Sequence, residues 1–250
     1  MGLPSSRRSR AGEGESRVPT AAILAGGLGN RLRSVVADRP KPLADVGGRP
    51  FLRYLLEQLA DAGIGCVVIC TGYLGHQVPA VFGREFLGMR LRYSQEPGPL
   101  GTAGALRHAL PLLDSGTVLV LNGDSYCTVD LRKFRQWHAL HPWGASLVLS
   151  RAAEAGRFGR VAVEADGRVV RFEEKGADPG PGWVNAGIYL APTALIAALP
   201  VGAAASLERE VFPGWSREGR LYGWTAAGEL LDIGTPESFV GAGTWLAERT

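Results

Sequence analysis

Three cysteines in 250 residues are too few, and odd in number, for a disulfide framework. Cys66 and Cys70 stand four apart in an apolar run and so share one face of a strand, while Cys127 is remote. Buried free thiols in a reducing cytoplasm are the expectation. No apolar run is long enough for a membrane-spanning helix, so no membrane association is expected. Net charge is also scarce. The formal value is +3, and Arg7, Arg8, Arg10 and Arg17 supply much of it. The remainder is close to neutral, which argues against a nucleic-acid surface. Residues 1–17 are rich in Ser and Gly, show no apolar period and are expected to form a disordered tail. The pair Arg7-Arg8 is followed by no apolar stretch of the kind a twin-arginine leader needs. Two glycine motifs are missing as well. There is no G-x-x-x-x-G-K-[ST] loop, and the one dense glycine cluster does not follow the dinucleotide pattern G-x-G-x-x-G. No hexapeptide repeat is present, so no β-helix is expected.

What is present begins at Thr20. An apolar strand, Thr20 to Leu24, runs into Gly26, Gly27 and Gly29, then Arg31 and Arg33, then Lys41 between Pro40 and Pro42. Glycine lets backbone N–H groups close on a ligand with no side chain in the way, and a run of such groups cradles anions. Arg31 offers a planar fork and Lys41 a point charge to phosphate oxygens. A nucleoside triphosphate site at the end of the first strand is the simplest reading; a glycine-rich turn that binds nothing is the plain alternative.

Downstream, helix and strand patterns alternate. Helices are expected over Pro50–Gly63, Gln77–Phe82, Gly101–Leu113 and Leu131–His141, and strands over Cys66–Thr71, Leu91–Ser94 and Thr117–Asn122. This predicts an α/β fold, Rossmann-like, with a mostly parallel central sheet and helices on both faces. The second half reads as antiparallel. Strands are expected at Ala145–Leu149, Arg160–Val163, Val169–Glu173 and Val184–Leu190, with Asp166-Gly167 as a hairpin turn. Ser206 reads as the cap of another helix, Leu221–Thr225 as a late strand and Pro236–Leu246 as the last helix. His138 and His141 have an HxxH spacing, but no third ligand lies nearby, so an ordinary helix end is expected.

Several chemistry-bearing residues fall at the ends of these elements. Asp124 follows Gly123 just beyond the most apolar strand, where open α/β sheets gather ligands, and its carboxylate suits Mg²⁺. A turn-capping aspartate has the same sequence. Gly101 and Thr102 open a helix, whose N-terminus favours a phosphate or a polar ligand edge; an ordinary cap is the other reading. Asp232, in L-D-I-G-T-P, reads equally as a turn residue before a helix. Gly159, Glu174, Lys175 and Asn185 mark strand ends, each with a plain structural reading as bulge, solvated edge or turn.

The string G-G-x-G-x-R-L followed by P-K-P resembles the signature of the sugar-1-phosphate nucleotidylyltransferases, with Asn30 where Thr is usual. L-N-G-D-S resembles the family's metal-binding segment, and D-x-G-T-P its second metal carboxylate. The resemblance covers 19–250, so residues 18–250 are expected to form one catalytic domain. Within the family, the run RLRSVVADRPKPLADVGGRPFLRYLL is most similar to the D-glycero-α-D-manno-heptose 1-phosphate guanylyltransferases. Mannose-1-phosphate guanylyltransferases and shorter uridylyl- or thymidylyltransferases come next. The resemblance implies a small antiparallel sugar-binding portion and a reaction between GTP and a sugar 1-phosphate with Mg²⁺ as cofactor, in the cytoplasm. It implies Arg31, Lys41, Asp124, Lys175 and Asp232 as catalytic residues, with Asp124 and Asp232 on the metal. The nucleotide would meet Leu24, Ala25, Gly26, Gly27, Gly29, Asn30, Arg31, Glu96, Gly101, Thr102 and Gly123. Glu96 is the candidate base reader, because a carboxylate accepts from adjacent N1–H and N2–H₂ groups of guanine. The sugar side would be Gly159, Glu174, Lys175 and Asn185. A non-catalytic sugar-nucleotide sensor is the alternative class. A homodimer is the base-rate expectation.

Overall fold

The computed structural model describes residues 18–27, 29, 32, 36, 38–157, 159–174, 180–225 and 228–250, with the backbone alone for 157, 159 and 174. In chain order its strands are β1 (Thr20–Ala25), β2 (Asp45–Val46), β3 (Arg49–Pro50), β4 (Cys66–Thr71), β5 (Glu85–Phe86), β6 (Met89–Gln95) and β7 (Thr117–Asn122). There follow β8 (Ser125–Cys127), β9 (Ala145–Ala152), β10 (Gly159–Val163), β11 (Val169–Glu174), β12 (Gly182–Pro192), β13 (Leu221–Trp224) and β14 (Leu230–Asp232). The α-helices are α1 (Phe51–Asp61), α2 (Gln77–Phe82), α3 (Gly101–Ala109), α4 (Leu131–His138), α5 (Thr193–Ala197), α6 (Phe212–Arg217), α7 (Pro236–Val240) and α8 (Ala242–Ala247). None of the helices described is long and apolar enough to cross a membrane.

The strands β7-β1-β4-β6 are parallel and form the middle of a ten-stranded sheet. They are nearly continuous apolar runs because both of their faces are covered. Alternate residues feed two cores. Ala21, Ile23, Ile69, Leu119 and Leu121 face the core that holds α1, α4 and α8. Ala22, Val68, Cys70, Val118 and Val120 face the core that holds α3, α5 and α6. The expected layering, helices on both faces, follows from this period of two. At the end of α1, Ile64 N–H donates to Leu59 O at 3.0 Å and Gly63 N–H to Ala60 O at 2.9 Å. With Gly63 at φ +78°, this is a Schellman stop.

The antiparallel half continues the same sheet. β12 joins the two halves: its Trp183 and Val184 pair with β10, its Ile188–Pro192 stretch with β7, and its other edge with β9. Against β9 the register shifts between Asn185 and Tyr189, in the stretch that separates the β10 partners from the β7 partners. β10 and β11 form the expected hairpin, with Gly167 at φ +84° in its turn.

Several boundaries differ from the sequence pattern. α3 stops at Ala109, since Pro111 belongs to a following 3-10 turn, Leu110–Leu112. The last helix is broken at Gly241 into α7 and α8. The Ser206 hydroxyl caps a turn as expected, accepting from Arg209 N–H at 3.2 Å. The turn is wound as a π-helix, Leu207–Val211, and Glu210, not the residue three along, returns the contact to Ser206 N–H at 3.1 Å. The antiparallel pairing of β14 with β8 had no counterpart in the sequence reading.

The HxxH pair is structural. His138 is buried with Nδ1 2.7 Å from Ser146 Oγ, and His141 packs between the rings of Trp137 and Tyr222. Burial, with a smaller effect of His141, lowers the His138 pKa to about 4. The unfolded chain therefore binds a proton near pH 6.5 that the folded one refuses, and stability falls as pH drops from 6.5 towards 4. Urea unfolding should show a loss of about 2 kcal/mol between pH 7.5 and 5 from this group, and His138→Gln should remove that part of the slope.

Candidate active site

Register aligns the carboxyl ends of the parallel strands. Ala25 is opposite Thr71, Leu24 opposite Asn122, and Thr71 opposite Gln95. Gly26, Gly72, Glu96 and Gly123, the next residues along, therefore share one edge of the sheet, where α/β proteins place ligands. The glycines are close-packed. A Cβ on Gly26 would overlap Glu96 Oε1, and one on Gly72 would overlap the Gly26 carbonyl. A Cβ on Gly123 would lie 2.7 Å from Leu24 O, to which Gly123 N–H already donates at 2.9 Å. Glu96 is only 8% exposed. Its N–H donates to Thr71 O at 2.8 Å and its Oε2 accepts from Leu100 N–H at 3.0 Å. Burial raises its pKa, and the Leu100 N–H and His108 act against that.

The second group is built on Asp124. Lys41 Nζ lies 2.7 Å from Asp124 Oδ2, with Lys41 11% and Asp124 42% exposed, so the lysine is packed while the carboxylate reaches solvent. Lys41 follows Pro40 in a short 3-10 turn, and its Cβ is 3.8 Å from the Cβ position of Gly29. β14 pairs with β8 so that Asp232 is opposite Ser125, and Ile233 N–H donates to Asp124 O at 3.0 Å. The backbones of two aspartates remote in sequence thus lie one residue out of register at the strand ends. Asp232 Oδ1 accepts from Gly234 N–H at 2.6 Å, so the turn reading of this residue holds as well. Thr235 then caps α7 through a reciprocal bond with Ser238.

The other candidates are placed as follows. Asn185 spends its amide inside the β12 bulge: Nδ2 donates to Tyr189 OH at 2.8 Å, and Oδ1 accepts from Gly187 N–H at 3.0 Å. Gly187, at φ +75°, brings the bulge onto Ser125 and Asn122; a Cβ there would be 2.6 Å from Ser125 Oγ. Gly159 and Glu174 are cross-strand partners. Gly101, at φ +69°, packs on the carbonyl of Ala205. Thr102 donates to Glu208 Oε2 at 2.7 Å and accepts from Leu207 N–H at 2.8 Å. The amides of Ala103 and Gly104 donate to Ala205 O, so the start of α3 is docked against a later segment. Arg31, Asn30 and Lys175 lie outside the described residues, as does the side chain of Glu174.

Sequence reasoning passed over Tyr189, hidden in an apolar strand, and Glu208, read as part of a helix start. It also passed over two buried oxygens beside Asp124, Asn122 Oδ1 and Ser125 Oγ, which have no hydrogen-bond partner.

Close-packed glycines, paired carboxylates and a lysine at the ends of parallel strands define an α/β protein built to hold a phosphorylated ligand. The nucleotidyl transferase family model matches residues 20–249, and the chain belongs to that family. It is 38% identical over 227 residues to a mannose-1-phosphate guanylyltransferase of Mycobacterium tuberculosis, covering 88% of this chain and 62% of that protein. It is 36% identical over 219 residues to a D-glycero-α-D-manno-heptose 1-phosphate guanylyltransferase of Aneurinibacillus thermoaerophilus, covering 88% of this chain and 94% of that protein. The chain thus spans less than two thirds of the first relative and nearly all of the second. Among solved structures, HddC from Yersinia pseudotuberculosis superposes with a TM-score of 0.80 at 30% identity, over 91% of this chain and 99% of that one. The same protein is known complexed with GMP-PN, TM-score 0.79.

The packing at Gly26 is testable without substrate. Gly26→Ala must displace the Glu96 carboxylate and should cost about 1–3 kcal/mol in urea unfolding. Gly27→Ala, with nothing within 4 Å of the added Cβ, should change stability by less than about 0.5 kcal/mol.

Proposed function

We propose that the chain joins a sugar 1-phosphate to GTP, releasing pyrophosphate and a GDP-sugar, with D-glycero-α-D-manno-heptose 1-phosphate as the preferred acceptor. The observation that supports the reading is the β8–β14 pairing, which puts Asp232 opposite Ser125, the neighbour of Asp124, whose carboxylate meets Lys41. The manno-configured acceptor rests on the two relatives named above. The heptose is favoured because the run 31–56, RLRSVVADRPKPLADVGGRPFLRYLL, is most similar to the heptose 1-phosphate guanylyltransferases.

An oxygen of the sugar phosphate attacks the α-phosphorus of GTP, and the bond to the β-phosphate oxygen breaks in line. The nucleophile is already anionic, since a phosphate monoester has a second pKa of about 6, so no general base is required. The obstacle is the meeting of two anions, and the protein's work is positioning and charge neutralisation. Among the described residues no three His, Cys, Asp or Glu cluster. Two carboxylates completed by substrate phosphates is a usual donor set for Mg²⁺, and Asp124 with Asp232 fits it. Bound there, Mg²⁺ would offset charge on the α-phosphate. Lys41 holds the Asp124 carboxylate in place. Arg31 and Lys175 take, on sequence grounds, the triphosphate and the acceptor phosphate. Glu96 would read the base: guanine donors favour the ionised carboxylate and offset the cost of its burial.

Pyrophosphate release over a panel of nucleoside triphosphates and sugar 1-phosphates tests the assignment. The expected active pair is GTP with a manno-configured acceptor, the heptose ahead of mannose. Preference for dTTP or UTP with glucose 1-phosphate would overturn it, and silence with every pair would leave a sugar-nucleotide binder. Asp124→Asn, Asp232→Asn and Lys175→Ala should each lower kcat by about 10²–10³-fold. Glu96→Gln should reduce the kcat/KM preference for GTP over UTP by about tenfold.

A further inference from the structure

We infer that Glu208 is a positioning residue that ties the base side of the site to its sugar side, an inference that rests on the transferase reading above. One carboxylate collects three hydroxyl protons. Thr102 Oγ1 donates to Oε2 at 2.7 Å, Ser206 Oγ to Oε2 at 2.9 Å, and Tyr189 OH to Oε1 at 3.1 Å. The directions are fixed. Thr102 accepts from Leu207 N–H and Ser206 from Arg209 N–H, so each hydroxyl proton is left for Glu208. Tyr189 OH accepts from the amides of Asn185 at 2.8 Å and Asn122 at 3.4 Å, so its proton also goes to Glu208. A carboxylate is acceptor-only, and this network uses it as such.

Two of the arms reach the site, the Tyr189 arm through both Asn185 and Asn122, while the Ser206 arm stays at the cap of the Leu207–Val211 turn. Thr102 opens α3, directly after the Glu96–Leu100 loop. Asn185 shapes the β12 bulge, and Asn122 precedes Gly123-Asp124. Tyr189 is only 2% exposed, so the link runs through the interior, where a satisfied polar network fixes one arrangement.

The test uses the full chain and steady-state kinetics for both substrates. Tyr189→Phe cuts the arm to β12 together with the longer contact from Asn122, and should raise KM for the sugar 1-phosphate about fivefold, with KM for GTP within twofold. Thr102→Val cuts the arm to α3 together with the Leu207 N–H bond and should do the reverse. Glu208→Gln places a donor among three donors and should raise both. Neither single-arm change should add to it, since a coupled pair is not additive. Thermal unfolding of each variant accompanies the kinetics. If melting falls while both KM values hold, or if the effects add, the hub is structural only and the inference fails. Should Glu208→Gln not fold, the opposite KM shifts of the two single-arm variants decide the matter. Wild-type chain that releases no pyrophosphate with any pair overturns the transferase reading itself, whereas active wild type with unsplit variants overturns this inference alone.

Discussion

A three-residue ladder holds the chemistry together. Leu230–Asp232 adds antiparallel to Ser125–Cys127, and through it a late segment of the chain is laid against the end of the central strand β7. Without that contact Asp124 would be one surface carboxylate neutralised by Lys41. With it, Asp232 is brought to the same edge as Asp124 and Lys41. Under the proposed function that edge accepts the polyphosphate of a nucleotide. Two carboxylates there suit a divalent ion between protein and substrate.

The glycines meet a second constraint. Gly26 is pinned between Glu96 and Gly72, and Gly123 lies against the backbone of β1, so the four strand ends approach each other more closely than any side chain would permit. Close approach leaves the Glu96 carboxylate in a poorly solvated place with a raised pKa. Burying an acceptor that has one protein donor is costly unless a ligand supplies the others. The packing that makes the edge compact thus also leaves a buried polar group, and the proposed function gives it a nucleobase as partner.

The parallel core was legible because its signal is local. β4, β7 and α2 have the boundaries the apolar periods suggested, and Gly63 ends α1 by a motif readable from one glycine. The site was legible in part, and for another reason: Gly26, Glu96 and Gly123 all follow strands, and a parallel sheet puts strand ends on one edge whatever the connections are. The pairing of β8 with β14 was not legible. Each strand has three residues, too few to show alternation, and their partnership is a long-range choice that no local pattern encodes. At Thr102 the local pattern showed the helix start but not its partners: the Ala205 carbonyl and the Leu207–Glu208 turn pack there from a segment remote in sequence, as a long-range contact.

β12 couples the parallel and antiparallel halves. It pairs with β10 and then with β7 along one edge, and along the other its register against β9 shifts by the extra residues between Asn185 and Tyr189. The bulge requires a left-handed residue, Gly187, and that residue rests on Ser125 and Asn122, the neighbours of Asp124. A displacement of the antiparallel half therefore reaches Asp124 through packed atoms. Tyr189, the residue that ends the bulge, carries its hydroxyl to Asn122, Asn185 and Glu208, and through Glu208 to Thr102 in the first turn of α3. One strand irregularity thus ties the antiparallel half both to the end of β7 and to the start of α3. Under the proposed function, an in-line displacement between two bound anions would depend on how firmly those parts are held.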